Sequence, residues 1–140
     1  MCSQSRQIVF CAIYAYYEAM LNRIISYYQI PFSDGDLNDA KTMYGNICTE
    51  IFLRSKGEKL GIAEDEFIND YCRLLRNHFM HGVLSKKKKR EELKLLSEKH
   101  GGIIYDQYDY AEISTPSFIQ DVLNSVYNMV ISIDNAFDTI

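Results

Sequence analysis

The stretch QSRQIVFCAIYAYYEAMLNRIISYYQ, residues 4–29, predicts one long helix around which the rest of the chain is organised. Apolar residues recur in it at three- and four-residue steps, the spacing of one helix face: Ile13, Tyr17, Met20, Ile24 and Tyr28. Further apolar residues fill its other faces: Val9, Phe10, Cys11, Tyr14, Tyr16, Leu21, Ile25 and Tyr27. We therefore expect this helix to be buried on more than one side, either at the centre of a bundle or in a dimer interface.

Two further helices are predicted after a turn over IPFSDGD, residues 30–36. The second spans residues 36–57, where apolar residues keep the helical spacing and Lys56 followed by Gly57 marks its end. The third begins near Glu64, among acidic residues that suit a helix N-terminus, and runs to Gly82, which suits the position after a helix end.

The last third of the chain predicts a charged helix over residues 86–102, a strand-like or irregular segment over 103–114, and a final helix. Thr115 is the expected N-cap of that helix and Pro116 its first residue, and the helical spacing continues to Phe137. These elements predict an all-α fold: an up-and-down bundle of four to five helices with a variable charged segment before the last. At 140 residues the chain is expected to form a single domain, 1–140.

Composition limits the classes of function. The net charge of −4 argues against a protein that coats nucleic acid, so any contact with RNA must be local. The four cysteines, Cys2, Cys11, Cys48 and Cys72, form no C-x-x-C pair, so neither zinc nor a disulfide framework is expected. Reduced thiols fit a cytoplasmic location.

The run IVFCAIYAYY, residues 8–17, has features of a signal-peptide core, but it has only one basic residue before it, Arg6, and no small-x-small cleavage site after it. It is also too short to span a bilayer, since Glu18, Asn22 and Arg23 follow. We expect neither export nor membrane insertion.

The end of the third helix, RNHFMHG, residues 76–82, concentrates polar and basic side chains. On a helical wheel with Arg76 at zero, Arg73 falls at about 60°, Asn77 at about 100° and His81 at about 140°, so the four share one arc. His78, at about 200°, points into the apolar stripe, which favours a buried, hydrogen-bonded imidazole.

Two interpretations of the arc remain open. Cations gather at helix C-termini because the helix dipole favours them there, which would make Arg73, Arg76 and His81 structural. Alternatively, the arc handles phosphate: histidine exchanges a proton near neutral pH, and arginine offers a donor fork that matches phosphate oxygens. These groups suit RNA cleavage without a metal, in which a base takes the 2′-OH proton and arginine stabilises the charge that develops on the phosphate.

The motif Arg76-Asn77-x-x-x-His81 resembles the signature of the HEPN superfamily, in which Arg, a polar residue that is often Asn, three variable residues and His close one helix of an all-α bundle. The resemblance implies a metal-independent endoribonuclease of the toxin, phage-defence or CRISPR kind, with a composite site in a homodimer cleft and Arg76, Asn77 and His81 as catalytic residues. It implies no metal and no cofactor, and it leaves room for an antitoxin or regulatory protein as a partner. In toxins paired with nucleotidyltransferase antitoxins a tyrosine follows the histidine by two residues, whereas Val83 stands here.

Further residues supplement this candidate site. The run of five cations beside the motif either grips RNA phosphates, together with Arg73, or forms a solvated loop that offsets Glu91 and Glu92: Lys86, Lys87, Lys88, Lys89 and Arg90. Glu18 lies in the apolar first helix, where an unpaired carboxylate is costly, so we expect either an arginine partner, Arg76 or Arg73, or a place on an exposed edge. Glu18 and His78 are thus supporting residues.

Two other functions remain as alternatives. A non-catalytic helical module of the same fold would use the motif and the lysines to bind RNA, a nucleotide or a partner protein. A purely structural bundle would use the motif only as a helix cap.

Overall fold

The computed structural model describes residues 3–33 and 35–140, apart from the side chains of Ser3 and Asn38. This part of the chain forms five α-helices and one short hairpin: α1 (Ser3–Tyr27), α2 (Ala40–Arg54), α3 (Arg73–His81), α4 (Lys87–His100), β1 (Ile103–Tyr105), β2 (Ala111–Ile113) and α5 (Pro116–Asp138). The predicted all-α helical bundle is confirmed.

Helix α1 lies at the centre of the bundle, which is one of the two positions that the sequence predicts for it. It packs against α2, α3, α5 and β2. Three of its side chains, Phe10, Tyr17 and Leu21, are completely buried. Its opposite face is open, because Tyr16 and Tyr27 are exposed although their apolar rings predicted burial.

Two helix ends differ slightly from the sequence prediction, for the same physical reason. Helix α1 ends at Tyr27 because Gln29 adopts a left-handed conformation (φ 53°) and the Ile30 N–H bonds back to the Ile25 carbonyl at 2.9 Å. Helix α2 ends with the same pattern, in which Lys56 takes the left-handed position (φ 60°) that a glycine usually occupies. In the usual arrangement a glycine itself takes the left-handed position, whereas here Gly57 comes one residue after it.

The third predicted helix has two parts. A π-helical segment, Glu66–Cys72, leads directly into α3, so the helix begins slightly later than predicted. The wider turn buries Asn69, whose side-chain oxygen accepts a hydrogen bond from the Tyr17 hydroxyl at 2.7 Å. Gly82 ends α3 with φ 82°, in agreement with the prediction.

The segment between α4 and α5 is a true antiparallel hairpin rather than an irregular loop. Ile103 pairs with Ile113, and Tyr105 pairs with Ala111. Ala111 and Ile113 are buried, and β2 contacts both α1 and α3. The hairpin therefore closes one side of the bundle beside the motif helix.

Helix α5 starts at Pro116, as predicted, but Thr115 does not cap it with its side chain. Thr115 has the extended backbone of an N-cap (φ −138°, ψ 146°), while its hydroxyl lies 3.0 Å from the hydroxyl of Ser117. Pro116 carries no N–H at the first helical position, which reduces the need for a side-chain cap.

The helix Gln4–Tyr27 is long and apolar enough, by length and composition, to cross a membrane, and 33% of its most apolar window is buried in this structure. The apolar run at residues 8–17 is too short by itself to span a bilayer, whereas the helix Gln4–Tyr27 has 24 residues. The core helix of a soluble protein and a signal sequence satisfy the same criteria.

Among the described cysteines, Cys11, Cys48 and Cys72 are free thiols, and Cys2 lies outside the described residues. Burial raises the pKa of the Cys72 thiol well above its ordinary value, so this group stays protonated.

Candidate functional site

A polar recess of about 150 Å³ lies between α1, α3 and the start of α2. Six side chains line it: Tyr14, Glu18, Asp39, Arg73, Arg76 and Asn77. Helix α3 contributes both arginines and the asparagine, because positions three and four residues apart share a helix face. Three of the four residues on the predicted arc thus meet in one recess.

Arg76 is held from three directions. Its Nη2 lies 3.6 Å from Oε1 of Glu18, which settles the expected partner of that carboxylate in favour of Arg76. Its Nη1 donates a hydrogen bond of 3.1 Å to Oδ1 of Asn77. The guanidinium carbon lies 5.8 Å from the centre of the Tyr14 ring, in a cation–π arrangement. The arginine fork is therefore oriented before any ligand arrives.

Glu18 is in an environment that disfavours its charge. Burial raises the pKa of the Glu18 carboxyl above its ordinary value, the Arg76 guanidinium opposes that rise, and Asp39 adds to it. At 3.6 Å the pair with Arg76 is longer than a direct hydrogen bond. Glu18 thus keeps hydrogen-bonding capacity that Arg76 does not use.

Arg73 and Asp39 complete the walls of the recess. Arg73 uses Nε to donate to the Asn69 carbonyl at 2.9 Å, and its terminal nitrogens have no partner among the described residues. Asp39 caps α2: one carboxylate oxygen accepts from the Lys41 N–H at 3.1 Å, and the other from the Thr42 hydroxyl at 3.3 Å. Arg73 is therefore available to a ligand, whereas Asp39 is already engaged.

His81 lies apart from the recess. It is exposed in the last turn of α3, does not line the recess, and makes no hydrogen bond or ion pair within the described part of the chain. On the helical wheel about 140° of rotation separates His81 from Arg76, and the five residues between them add a rise along the helix axis. Among the described residues, Arg76 and Asn77 of the motif line the recess and His81 does not.

His78 is structural in its contacts, as the helical wheel predicts. It is 2% exposed, and its Nε2 accepts a hydrogen bond of 2.8 Å from the Ala111 N–H. Burial lowers the pKa of this imidazole below its ordinary value, while the more distant Asp106 carboxylate acts in the opposite direction. The neutral ring therefore joins α3 to the hairpin.

The run Lys86–Arg90 is not a loop, and three of its five cations are engaged by other groups of the described chain. Lys86 precedes α4 and the next four residues form its first turn. Lys87 and Lys89 pair with Glu91 and Glu92 at 3.8 and 3.4 Å.

Arg90 has a structural role in this segment. Its Nη1 donates to the carbonyls of Leu84 and Ser85, each at 2.8 Å. Within the described residues, Lys86 and Lys88 are the members of the run that make no such contact.

No family model, no curated protein and no solved structure matches the chain.

Within the described residues, no group of three or more His, Cys, Asp or Glu side chains forms an arrangement that could hold a metal ion.

A second concave surface lies on the far side of α1, where Tyr16 meets α5. It encloses about 470 Å³ and is almost entirely apolar, lined by Tyr16, Leu123, Val126, Tyr127, Val130 and Ile131. Along α1 the exposed positions from Ile8 to Ala19 carry no charge: Ile8, Ala12, Ala15, Tyr16 and Ala19. We call these exposed positions of α1, together with the residues that line the concave surface, the apolar face.

Sequence analysis missed two residues of the recess. Tyr14 was assigned to the apolar faces of α1, although it stands four residues before Glu18 and must share a face with it. Asp39 comes from a segment far from the motif in sequence, and no local pattern connects it to Arg76.

Proposed function

We propose that this protein is a metal-independent endoribonuclease of the HEPN kind, acting in the cytoplasm in phage defence or as a toxin. The observation that carries the proposal is the placement of Arg76 and Asn77 at a polar recess, with His81 exposed at the end of the same helix. The resemblance of the motif supplies the chemistry: one histidine removes the 2′-OH proton, the 2′-oxygen attacks the adjacent phosphorus, and the arginine stabilises the charged phosphorane. A second histidine then donates a proton to the 5′-oxygen as its bond to phosphorus breaks.

A homodimer would complete the site. Arg76 lines the recess and His81 does not, so a second copy can supply a histidine opposite each recess. The apolar face is the surface we assign to this contact, because it is uncharged and can meet its own copy without like-charge repulsion. Ala15 on this face neighbours Glu18, three residues along, so the two recesses would border the interface.

The test is cleavage of a mixed RNA pool in EDTA, followed by analysis of the product ends. Wild type should leave 2′,3′-cyclic phosphates, because the 2′-oxygen is the attacking group, and DNA of the same sequence should survive. His81→Ala and Arg76→Ala should abolish cleavage and leave the circular dichroism spectrum unchanged.

Two matched controls test whether the loss of cleavage is specific to the motif residues. Met80→Ala changes an exposed neighbour on the same turn as His81, and Arg23→Ala removes an exposed arginine from α1. Both should cleave RNA like wild type. Full activity of His81→Ala would remove the basis of the proposal.

A binding module of the same fold is the second candidate. No described contact orients the exposed His81 side chain, and this favours a binding module over a nuclease that acts as a monomer. Such a module would hold RNA, a nucleotide, or an antitoxin or other regulatory protein at the same recess. RNA retention by wild type, its loss in Arg76→Ala, and intact RNA in both samples would identify the module.

A further inference from the structure

The recess contains a hydrogen-bonding group that the protein itself does not use. The side chain of Tyr14 is 2% exposed, and its hydroxyl has no hydrogen-bond partner among the described residues. Burial raises the pKa of this phenol, and three charges that act on it, Glu18, Asp39 and Arg73, belong to the lining of the recess. A buried polar group is normally paired. The hydroxyl is almost fully covered in this structure, so a ligand in the recess would accept its hydrogen bond after a small tilt of the Tyr14 ring.

The charges of the recess indicate which class of ligand fits. Arg73 and Arg76 carry two positive charges, and Glu18 and Asp39 carry two negative ones, so the lining is formally neutral. An anion deep in the recess would approach both carboxylates, so the scissile phosphate of the proposed reaction would lie at the rim, where the Arg76 side chain is one-third exposed. A neutral group with both donors and acceptors matches a lining of this composition.

The size of the recess points to one ring. Its volume is about 150 Å³, and cavities of roughly that volume hold a molecule as large as benzene. A whole nucleotide does not fit, but the six-membered ring of a base can enter edge first. The ribose and phosphate would then remain outside, toward the exposed end of α3.

We propose that the recess binds the Watson–Crick edge of one guanine base of the RNA substrate, with Glu18 accepting from the base and Tyr14 donating to it. Guanine presents two adjacent donors, N1–H and N2–H, which a single carboxylate accepts in parallel. Its O6 lies next to them and accepts from the Tyr14 hydroxyl, from Arg73 or from the Asn77 amide. Glu18 is the available carboxylate, since both oxygens of Asp39 already accept hydrogen bonds.

The other three bases fit this lining less well. Adenine places the acceptor N1 beside its amino group, so a carboxylate meets one donor and one lone pair. Uracil has a single N–H between two carbonyls, and cytosine has an amino group beside the acceptor N3. Guanine is thus the base whose edge offers two donors to Glu18 and one acceptor to the donors around it.

The inference rests on the proposed function for its substrate, but a binding measurement tests it independently of cleavage. DNA hexamers of thymine with one central guanine, adenine, cytosine or inosine lack the 2′-OH and cannot be cleaved by 2′-oxygen attack. Fluorescence anisotropy should give about tenfold tighter binding for guanine than for adenine or cytosine, within the range of a good bidentate base contact. Inosine, which lacks N2–H, should lose most of that preference.

Two recess variants and one control complete the experiment. Glu18→Gln and Tyr14→Phe should each reduce the guanine preference at least threefold, while Tyr108→Phe, which changes an exposed tyrosine outside both the recess and the apolar face, should retain it. Equal affinities for all hexamers, or a guanine preference that persists in both recess variants, would overturn the inference.

Cleavage of the mixed RNA pool separates this inference from the proposed function. Cleavage by wild type with no guanine bias near the cut bond would retain the nuclease and remove the guanine site. Guanine-selective binding of the hexamers without cleavage of RNA would retain the guanine site and remove the nuclease.

Discussion

The backbone N–H of Ala111, in the second strand of the hairpin, donates a hydrogen bond of 2.8 Å to Nε2 of the buried His78. Nε2 accepts this bond only when it carries no proton, so the folded protein holds the neutral imidazole. The contact joins the motif helix to the hairpin and makes the junction sensitive to acid.

Acidification should therefore destabilise the protein through His78. Burial lowers the pKa of this imidazole below its ordinary value of 6.5, so the unfolded state binds a proton first as the pH falls. The free energy of unfolding should decrease from pH 7.5 to pH 5.5, and His78→Gln should show a weaker dependence over the same window. NMR titration provides a direct check, and protonation of His78 at or above its ordinary pKa would contradict the prediction.

Two buried tyrosines on α1 should respond oppositely to loss of the hydroxyl. Tyr17→Phe leaves the buried Asn69 oxygen without its donor, so we expect a loss of about 1–3 kcal/mol in the free energy of unfolding. Tyr14→Phe removes a hydroxyl that has no described partner, so stability should be unchanged or higher. Urea unfolding measures both, and an equal loss in the two variants would mean that the Tyr14 hydroxyl is paired in the folded protein.

Gly102 should tolerate no side chain. An added Cβ would lie 2.1 Å from Cδ2 of Phe118, and the backbone has φ 87°, so Gly102→Ala should lose about 2–5 kcal/mol. Gly101→Ala is the matched control, because φ is 72° but no atom lies within 4 Å of the added Cβ. We expect the control to lose only about 1–2 kcal/mol, from backbone strain alone. If guanidinium unfolding gives similar losses of stability for the two variants, Phe118 moves aside to accommodate the added Cβ at residue 102.

The cations beside the motif should separate into structural and binding groups. Arg90→Ala removes the donor to the Leu84 and Ser85 carbonyls and should lower the free energy of unfolding by about 1–2 kcal/mol. Lys88→Ala, at an exposed position, should leave stability within about 0.5 kcal/mol of wild type. If Lys88 contacts RNA phosphate, its loss should reduce the salt dependence of RNA binding by about one counterion. An unchanged salt slope would remove Lys88 from the RNA interface.

The apolar face should determine the oligomeric state. Tyr127→Asp places a charge where the side chain is 67% exposed, and sedimentation equilibrium should show a monomer that no longer cleaves RNA. Tyr108→Asp makes the same substitution at a tyrosine that is 75% exposed in the hairpin loop and should remain dimeric. A dimeric and active Tyr127→Asp protein would locate the subunit contact elsewhere.

The helical part of the fold could be predicted from the sequence because it depends on local spacing. The long apolar stretch, Pro116 and Gly82 each act over one or two turns, and the helices lie close to where these signals put them. The π-helical turn around Asn69 instead carries a hydrogen bond to Tyr17 of another helix, and the left-handed Lys56 stands one residue before the glycine that would signal that conformation. A wheel with a constant rotation per residue cannot anticipate either.

The candidate site divides in the same way. Arg73, Arg76 and Asn77 share a helix face, so the sequence was sufficient to bring them together. Tyr14 and Asp39 reach the recess from two other elements, and that assembly is visible only once α1 and the start of α2 are packed against α3. His81 does not line the recess, because both a rotation of about 140° and the rise of five residues separate it from Arg76.

The bond between His78 and Ala111 gives the hairpin influence over a site that it does not line. His78 adjoins Asn77 in α3, so a change that loosens the hairpin also loosens the turn that carries the motif. A genetic screen for inactive proteins should consequently return substitutions at Ala111 or Gly102 as well as at Arg76, and their defects would imitate those of a damaged catalytic residue. Thermal stability would distinguish the two groups, since only the hairpin substitutions should lower it substantially.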